Sequence, residues 1–184
     1  MNMKLSVFLV ILALFSSCVD FKKSEQLELI DALSLKLSEI QEIKSGSIDS
    51  VQSYMAKVVG LDSLLKHSYQ NDTLSFYDAE NIDLFINLKV VLPDLNTAMV
   101  EIDSVIMIKS NSIERLRKDV ENSTGVRSKY PEFIAFEKEE ILKIKNQLIE
   151  NQLLLIELME AFNSLFPKLN DYLSSFVKGE IIIE

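Results

Sequence analysis

The stretch Pro131–Lys178 reads PEFIAFEKEEILKIKNQLIENQLLLIELMEAFNSLFPKLNDYLSSFVK. Every seventh residue from Ile134 is apolar: Ile141, Leu148, Leu155, Phe162, Leu169 and Phe176. Three places further on in each heptad stand Glu137, Ile144, Asn151, Leu158, Leu165 and Tyr172. Alternating steps of three and four keep one seam of a helix facing its neighbours. A helix built this way gains most of its stability by burying that seam against other helices.

Two further seams lie upstream. A first helix is expected from about Ser24 to His67, with its seam at Ile30, Leu33, Leu37, Ile40, Val51, Tyr54, Val58, Leu61 and Leu65. Its halves share one register if Lys44 and Ser47 fill the intervening seam positions. Ser45-Gly46-Ser47 is either a weak point in one helix or a turn between two, with Ser47 or Asp49 as cap. Register continuity favours one helix. A second helix opens near Asp78, a candidate N-cap, with Glu80 in its first turn. Its seam is Phe85, Leu88, Leu92, Leu95, Met99, Ile102, Ile106, Lys109, Ile113, Leu116 and Val120. Pro93 inside it predicts a kink near Leu92, and Pro167 predicts another in the third helix. Polar loops separate the helices at 68–77 and 122–130. Gly125 is expected near a helix C-cap, Pro131 in the first turn of the third helix, and Gly179 at its end.

The fold expected for residues 24–178 is all-α. It is an elongated, antiparallel, up-down-up three-helix bundle or coiled coil, each helix roughly 45 residues or about 67 Å long. The alternative is a compact four- or five-helix bundle, formed if Gly46 and Pro93 are true turns. The tail 179–184 ends in Ile181-Ile182-Ile183. It either packs on the bundle or adds as a strand to a partner's sheet.

A formal charge of -9 argues against non-specific nucleic-acid binding. One Cys and one His exclude an intrachain disulfide and a Cys/His metal cluster. His67 beside Asp62 reads as a solvated polar residue, and a single His cannot complete a di-iron helix-bundle site. Glu137, Glu139 and Glu140 read as a charged face with Lys138, Lys143 and Lys145. No Gly-rich phosphate loop or Ser/His/Asp set is present. Neither an enzymatic activity nor a cofactor is expected. Lys109 and Asn151 interrupt apolar seams, where polar residues fix register. Lys109 has a stem long enough to reach Glu139 or Glu140.

The N-terminus has the parts of an export signal. Lys4 supplies a positive start, and Leu5–Phe15 is an apolar run too short to span a bilayer. Phe15-Ser16-Ser17-Cys18 follows, and it resembles the lipobox of bacterial lipoproteins. The resemblance covers the first eighteen residues. It implies a signal peptide at 1–17, a multiply acylated Cys18 as membrane anchor, and a short tether at 18–23. Val19 follows the Cys, with Asp20 one place later, and this implies the outer membrane of a two-membrane cell.

In this topology the anchored end meets the second loop. Lys22, Lys23, Arg115, Arg117, Lys118, Arg127 and Lys129 gather there, including every Arg in the chain. Such an end would face anionic headgroups, at about 1 kcal/mol per basic residue. Alternatively, these cations favour the helix C-terminus and solvent. The opposite loop carries Tyr69, Phe76 and Tyr77, candidate partner-binding aromatics unless they fold back to plug the bundle. Asp49-Ser50-Val51, Asp62-Ser63-Leu64, Asp72-Thr73-Leu74 and Asp103-Ser104-Val105 resemble bacterial O-glycosylation triplets, with Thr73 in the loop the best placed.

The expected function is a lipid-anchored, non-catalytic spacer or adaptor of the cell envelope that binds an unidentified protein at its membrane-distal loop. The alternative is an inhibitor or immunity-type lipoprotein that blocks a toxin or enzyme. Oligomeric state is not legible at this level.

Overall fold

The computed structural model describes residues 3–68 and 75–180, with side-chain surroundings for 22–67 and 75–174. Three long helices, packed together, make up the fold: α1 (Met3–Ser68), α2 (Phe76–Asn122) and α3 (Tyr130–Glu180). A single 3-10 turn, Arg127–Lys129, precedes α3. Among the described residues there is no strand. The protein is an all-α three-helix bundle.

α1 passes through Gly46, and α2 passes through Pro93 without a break. The four- and five-helix alternatives are therefore not adopted. The seam explains why. Lys44 and Ser47 occupy the two polar seam positions and are buried, so the register either side of Gly46 is continuous. Lys44 Nζ lies 2.6 Å from Asp103 Oδ1, and Ser47 Oγ accepts from Gln152 Nε2 at 3.0 Å. Each polar group that enters the seam thus finds a partner on another helix. α1 also begins well before Ser24, so Lys22 and Lys23 are helical where a tether was expected. No Gly or Pro stands between Met3 and Gly46 to stop it. α3 runs one residue past Gly179.

The chain divides into two compact units. One comprises Met1–Gln41 with Ser104–Lys145, the other Glu42–Asp103 with Asn146–Glu184. Each contains a stretch of all three helices. In the first unit, buried Ile30, Leu33 and Leu37 of α1 join Ile113, Leu116 and Val120 of α2 and Ile134, Ile141 and Ile144 of α3. Lys23 reaches Glu121 and Asp31 reaches Arg117, so α1 and α2 run antiparallel there. In the second unit one cluster holds Tyr54, Val58, Leu61, Leu65, Phe85, Leu88, Leu92, Phe162, Leu165 and Leu169. Tyr54 and Phe162 meet edge to face with ring centres 5.4 Å apart, and Phe162 stacks on Phe166 at 5.6 Å. Burying a large aliphatic or aromatic side chain is worth about 1.5–3 kcal/mol, so these seams supply most of the stability.

Both ends of α2 are capped by serine. Asp78 is not the N-cap, as had been expected. Ser75 is, its Oγ accepting from the Asp78 N–H at 3.1 Å and its carbonyl accepting from the Ala79 N–H at 3.0 Å. Ser75 Oγ in turn donates to Asp78 Oδ2. This is a Ser-x-x-Asp variant of the capping box. At the C-terminus the left-handed residue is Ser123, φ 54°. The Thr124 N–H bonds the Asp119 carbonyl at 2.9 Å and the Ser123 N–H bonds the Val120 carbonyl at 3.2 Å. That pair of bonds is a Schellman motif. Gly125, expected near the cap, is a second left-handed residue beyond it, φ 73°.

Candidate partner-binding surfaces

Three surfaces are of interest: the start of α2, the basic turn before α3, and the seam interruptions.

The start of α2 belongs to the second unit. The Ser75 cap sets the helix going at Phe76, which leaves Phe76 88% exposed and Tyr77 56% exposed. Neither ring folds back to plug the bundle. Asn81, itself buried, donates from Nδ2 to the Tyr77 carbonyl at 2.9 Å and stiffens this first turn. Lys168 Nζ of α3 lies 5.9 Å from the centre of the Tyr77 ring, a cation–π contact. Lys168 also lines a groove of about 280 Å³ between α2 and α3, with Leu84, Val91, Leu158, Ala161 and Leu165 among its walls. Tyr77, Leu84 and Val91 are seven residues apart, so they form one line on α2, one step aside from the buried seam of Phe85 and Leu92. The exposed apolar area thus extends beyond the loop aromatics. That second apolar line was present in the heptads, masked by the stronger seam beside it. Tyr69 and Thr73 lie outside the described residues, as does Ile181–Ile183 of the tail.

The basic turn belongs to the first unit. Its cations are laced with acids. Arg117 pairs with Asp31 at 2.6 Å and Glu121 at 2.9 Å, and these two carboxylates, Glu121 first, hold its guanidinium above its ordinary pKa. Lys118 pairs with Glu114 at 2.6 Å, and its ammonium holds the Glu114 carboxyl below the usual range. Lys23 Nζ donates to the Glu121 carbonyl at 2.6 Å. Arg115 shares a groove of about 540 Å³ with Asp119, Glu132, Phe133 and Phe136. The sequence reading grouped these cations and left out the acids interleaved with them. Arg127 and Lys129 stand clearest: they begin and end the 3-10 turn, next to exposed Val126. Arg127 Nε donates to the Ser123 carbonyl at 3.0 Å, and the buried Tyr130 hydroxyl donates toward the carbonyls of Asp119 and Thr124. These bonds fix the turn. Lys22 is exposed on α1. Cys18 lies in α1 by its backbone, and nothing is described of its side chain.

The seam interruptions of the first unit come together. Lys109 Nζ lies 3.3 Å from Glu137 Oε2 and 3.5 Å from Glu140 Oε2, and sits 4.8 Å from the Phe136 ring centre. Ser112 Oγ donates to Glu137 Oε1 at 2.6 Å. Glu137 is therefore a buried seam residue, not part of the charged face. Lys109 reaches Glu140 as its stem length allowed, while Glu139 turns to Lys143. Among the described residues, no group of three or more His, Cys, Asp and Glu is arranged to hold a metal ion. Asp62 is engaged by Lys66 and Lys89, and Asp103 by Lys44, so two of the Asp-Ser-aliphatic triplets have their acids occupied within helices. Among the described residues no helix is long and apolar enough to cross a membrane.

No protein-family model matches this chain, and neither the curated proteins nor the solved structures contain a significant match to it.

Proposed function

We propose that the chain is a lipid-anchored helical lipoprotein of the cell envelope, acting as a non-catalytic spacer and adaptor for a protein partner. The observation that carries this reading is the start of α2, where Phe76 is 88% exposed on a capped helix end. An exposed phenyl ring on a rigid element costs little entropy to bury, and aromatics are enriched among residues that dominate interface energy. Tyr77 and the groove beyond it extend the apolar area a partner would cover.

The anchor in this proposal is Cys18, acylated after removal of residues 1–17, with the outer membrane of a two-membrane bacterium as destination. Two or more acyl chains hold stably where one does not. Arg127, Lys129 and Lys22 then meet anionic headgroups, and the acids around Arg117 and Lys118 limit how much the other cations add.

Photo-crosslinking in living cells tests the reading. A benzophenone side chain at Tyr77 should trap one protein, and the same probe at Arg127 should trap lipid or nothing. Protein trapped from Arg127 alone would overturn the assignment of ends. A toxin or enzyme trapped from Tyr77 would make the chain an inhibitor rather than an adaptor. Labelling with radioactive palmitate, lost in Cys18→Ala, tests the anchor separately.

A further inference from the structure

In the second unit α1 and α3 run side by side, and their outer face is a groove of about 420 Å³. Its walls are apolar and open to solvent: Ile43 is 49% exposed, Ile149 43%, Leu153 57% and Ile156 51%. Ile149, Leu153 and Ile156 stand at i, i+4 and i+7, in one line on α3 distinct from the buried Leu148 and Leu155. The floor is low. It is made by Gly46, Ser47, Ser50 and Gln152. A Cβ added at Gly46 would meet nothing within 4 Å, so no packing inside the chain calls for glycine there. Glycine weakens a helix interior, and its usual reward is close approach of another backbone.

The rims of the groove are acidic. Glu42 and Asp49 flank Gly46 on α1, at four residues before and three after. Glu150 and Glu157 flank Leu153 on α3, at three before and four after. All four are exposed, and among the described residues none forms an ion pair within 4.0 Å. Lys57, on the same stretch of α1, is drawn over the Tyr54 ring at 4.3 Å. In the same unit Asp62 holds Lys66 and Lys89, and Asp103 holds Lys44. Here two rows of carboxylates line an apolar trough with no cation between them.

We propose that this groove seats a fourth helix, an amphipathic helix of a partner protein, with its apolar stripe on Ile43, Ile149, Leu153 and Ile156 and with Lys or Arg on both flanks. The mode is helix in groove, with the flanking charges setting specificity. A second copy of the chain fits less well. Its own groove would bring Glu42, Asp49, Glu150 and Glu157 against their equivalents, on a chain of net charge -9. The inference is independent of the reading of Phe76.

The test uses the full chain in nanodiscs of zwitterionic lipid. The probe is a fluorescent designed helix of about 20 residues, with a leucine stripe flanked by lysine. A twin carries glutamate flanks. Anisotropy should show the lysine form binding at least about tenfold tighter than the glutamate form or than empty discs, and weakening in about 0.5 M NaCl. Gly46→Leu fills the trough and should cut affinity about tenfold while leaving the melting temperature equal or higher, because leucine suits a helix better than glycine. Leu153→Glu should cut it similarly, and Phe76→Ala should leave it unchanged. Equal binding of both helices, or binding indifferent to Gly46→Leu and Leu153→Glu, would overturn the proposal. So would self-association of the chain abolished by Leu153→Glu, which would make a second copy the occupant.

Discussion

Lys109 and Glu137, the polar interruptions of two different seams, meet inside the first unit with Lys109 Nζ 3.3 Å from Glu137 Oε2. Both side chains are largely buried, at 13% and 8% exposure. Removing one partner of such a pair leaves a desolvated charge, whereas removing both can be neutral or stabilising. Lys109→Leu leaves Glu137 with Ser112 as its remaining hydrogen-bond donor, and should cost about 3 kcal/mol in urea unfolding. Glu137→Leu should cost less, because Lys109 keeps Glu140 at 3.5 Å. The double variant should return close to the parent stability. Additive losses in the double variant would mean that the two charges do not interact in solution.

Ser123 holds a left-handed conformation at φ 54° as the C′ residue of α2. A side chain there crowds the backbone, and glycine would not. Ser123→Gly should therefore stabilise the chain by about 0.5–1 kcal/mol, although glycine destabilises most helical positions. Gly125→Ala should go the other way by about 1 kcal/mol, since its φ is 73° and open space around it gives no relief from backbone strain. Thermal melts of the two variants, moving in opposite directions, check the turn.

The seams were readable because a heptad is a local property. Ile30, Leu33, Leu37, Ile40, Val51, Tyr54, Val58, Leu61 and Leu65 are all buried, and Lys44 and Ser47 complete the register between them. The pairing of Lys109 with Glu137 was not readable. Lys109 stood out as an interruption while Glu137 read as part of a charged face, and which residue of α3 faces Lys109 depends on how the turn at 123–129 sets one helix against the other. Caps were half readable. Ser-x-x-Asp at 75–78 carried the N-cap signal, outweighed by the apparent loop chemistry of Phe76 and Tyr77. Ser123 carried none, because Gly125 two places later is the stronger breaker. Of the acids at the basic end, Glu121 and Glu114 are i, i+4 neighbours of Arg117 and Lys118 on α2 and were legible in the sequence, whereas Asp31 comes from α1, so only packing reveals its pairing with Arg117.

The N-cap of α2 also decides how firmly Phe76 is presented. Ser75→Ala removes the acceptor for the Asp78 N–H and should cost about 1 kcal/mol. Asp78→Ala keeps that bond and loses the reciprocal contact and the favourable dipole, so it should cost less than Ser75→Ala. Phe76→Ala, at an exposed ring, should stay within about 0.5 kcal/mol of the parent while reducing partner capture. A large stability loss in Phe76→Ala would show that the ring packs on the protein.

Acid should destabilise the second unit partly through Asp62. Lys66 and Lys89 each approach its carboxylate at 2.9 Å, and the Lys66 hydrogen bond, then that of Lys89, holds the Asp62 carboxyl below its ordinary range. A carboxyl whose pKa is lower in the folded state contributes stability above its unfolded value. That stability is lost as pH falls through the folded value. The loss should therefore begin near the ordinary aspartate range, about pH 4, and continue below it. Glu114 and Glu140 titrate in the same direction, held down chiefly by Lys118 and Lys143. Lys66 carries the opposite limb, because its bond to Asp62 raises its pKa, so its share persists through neutral pH and disappears as pH rises through the folded value. Melting temperature should thus be nearly flat around neutrality and fall on the acid side. Lys66 and Lys89 are exposed enough for salt to screen them, so about 0.5 M NaCl should flatten the acid limb. Asp62→Asn should melt lower at neutral pH and lose less than the parent on acidification. An acid limb of equal depth in Asp62→Asn would assign the pH dependence to the other carboxylates.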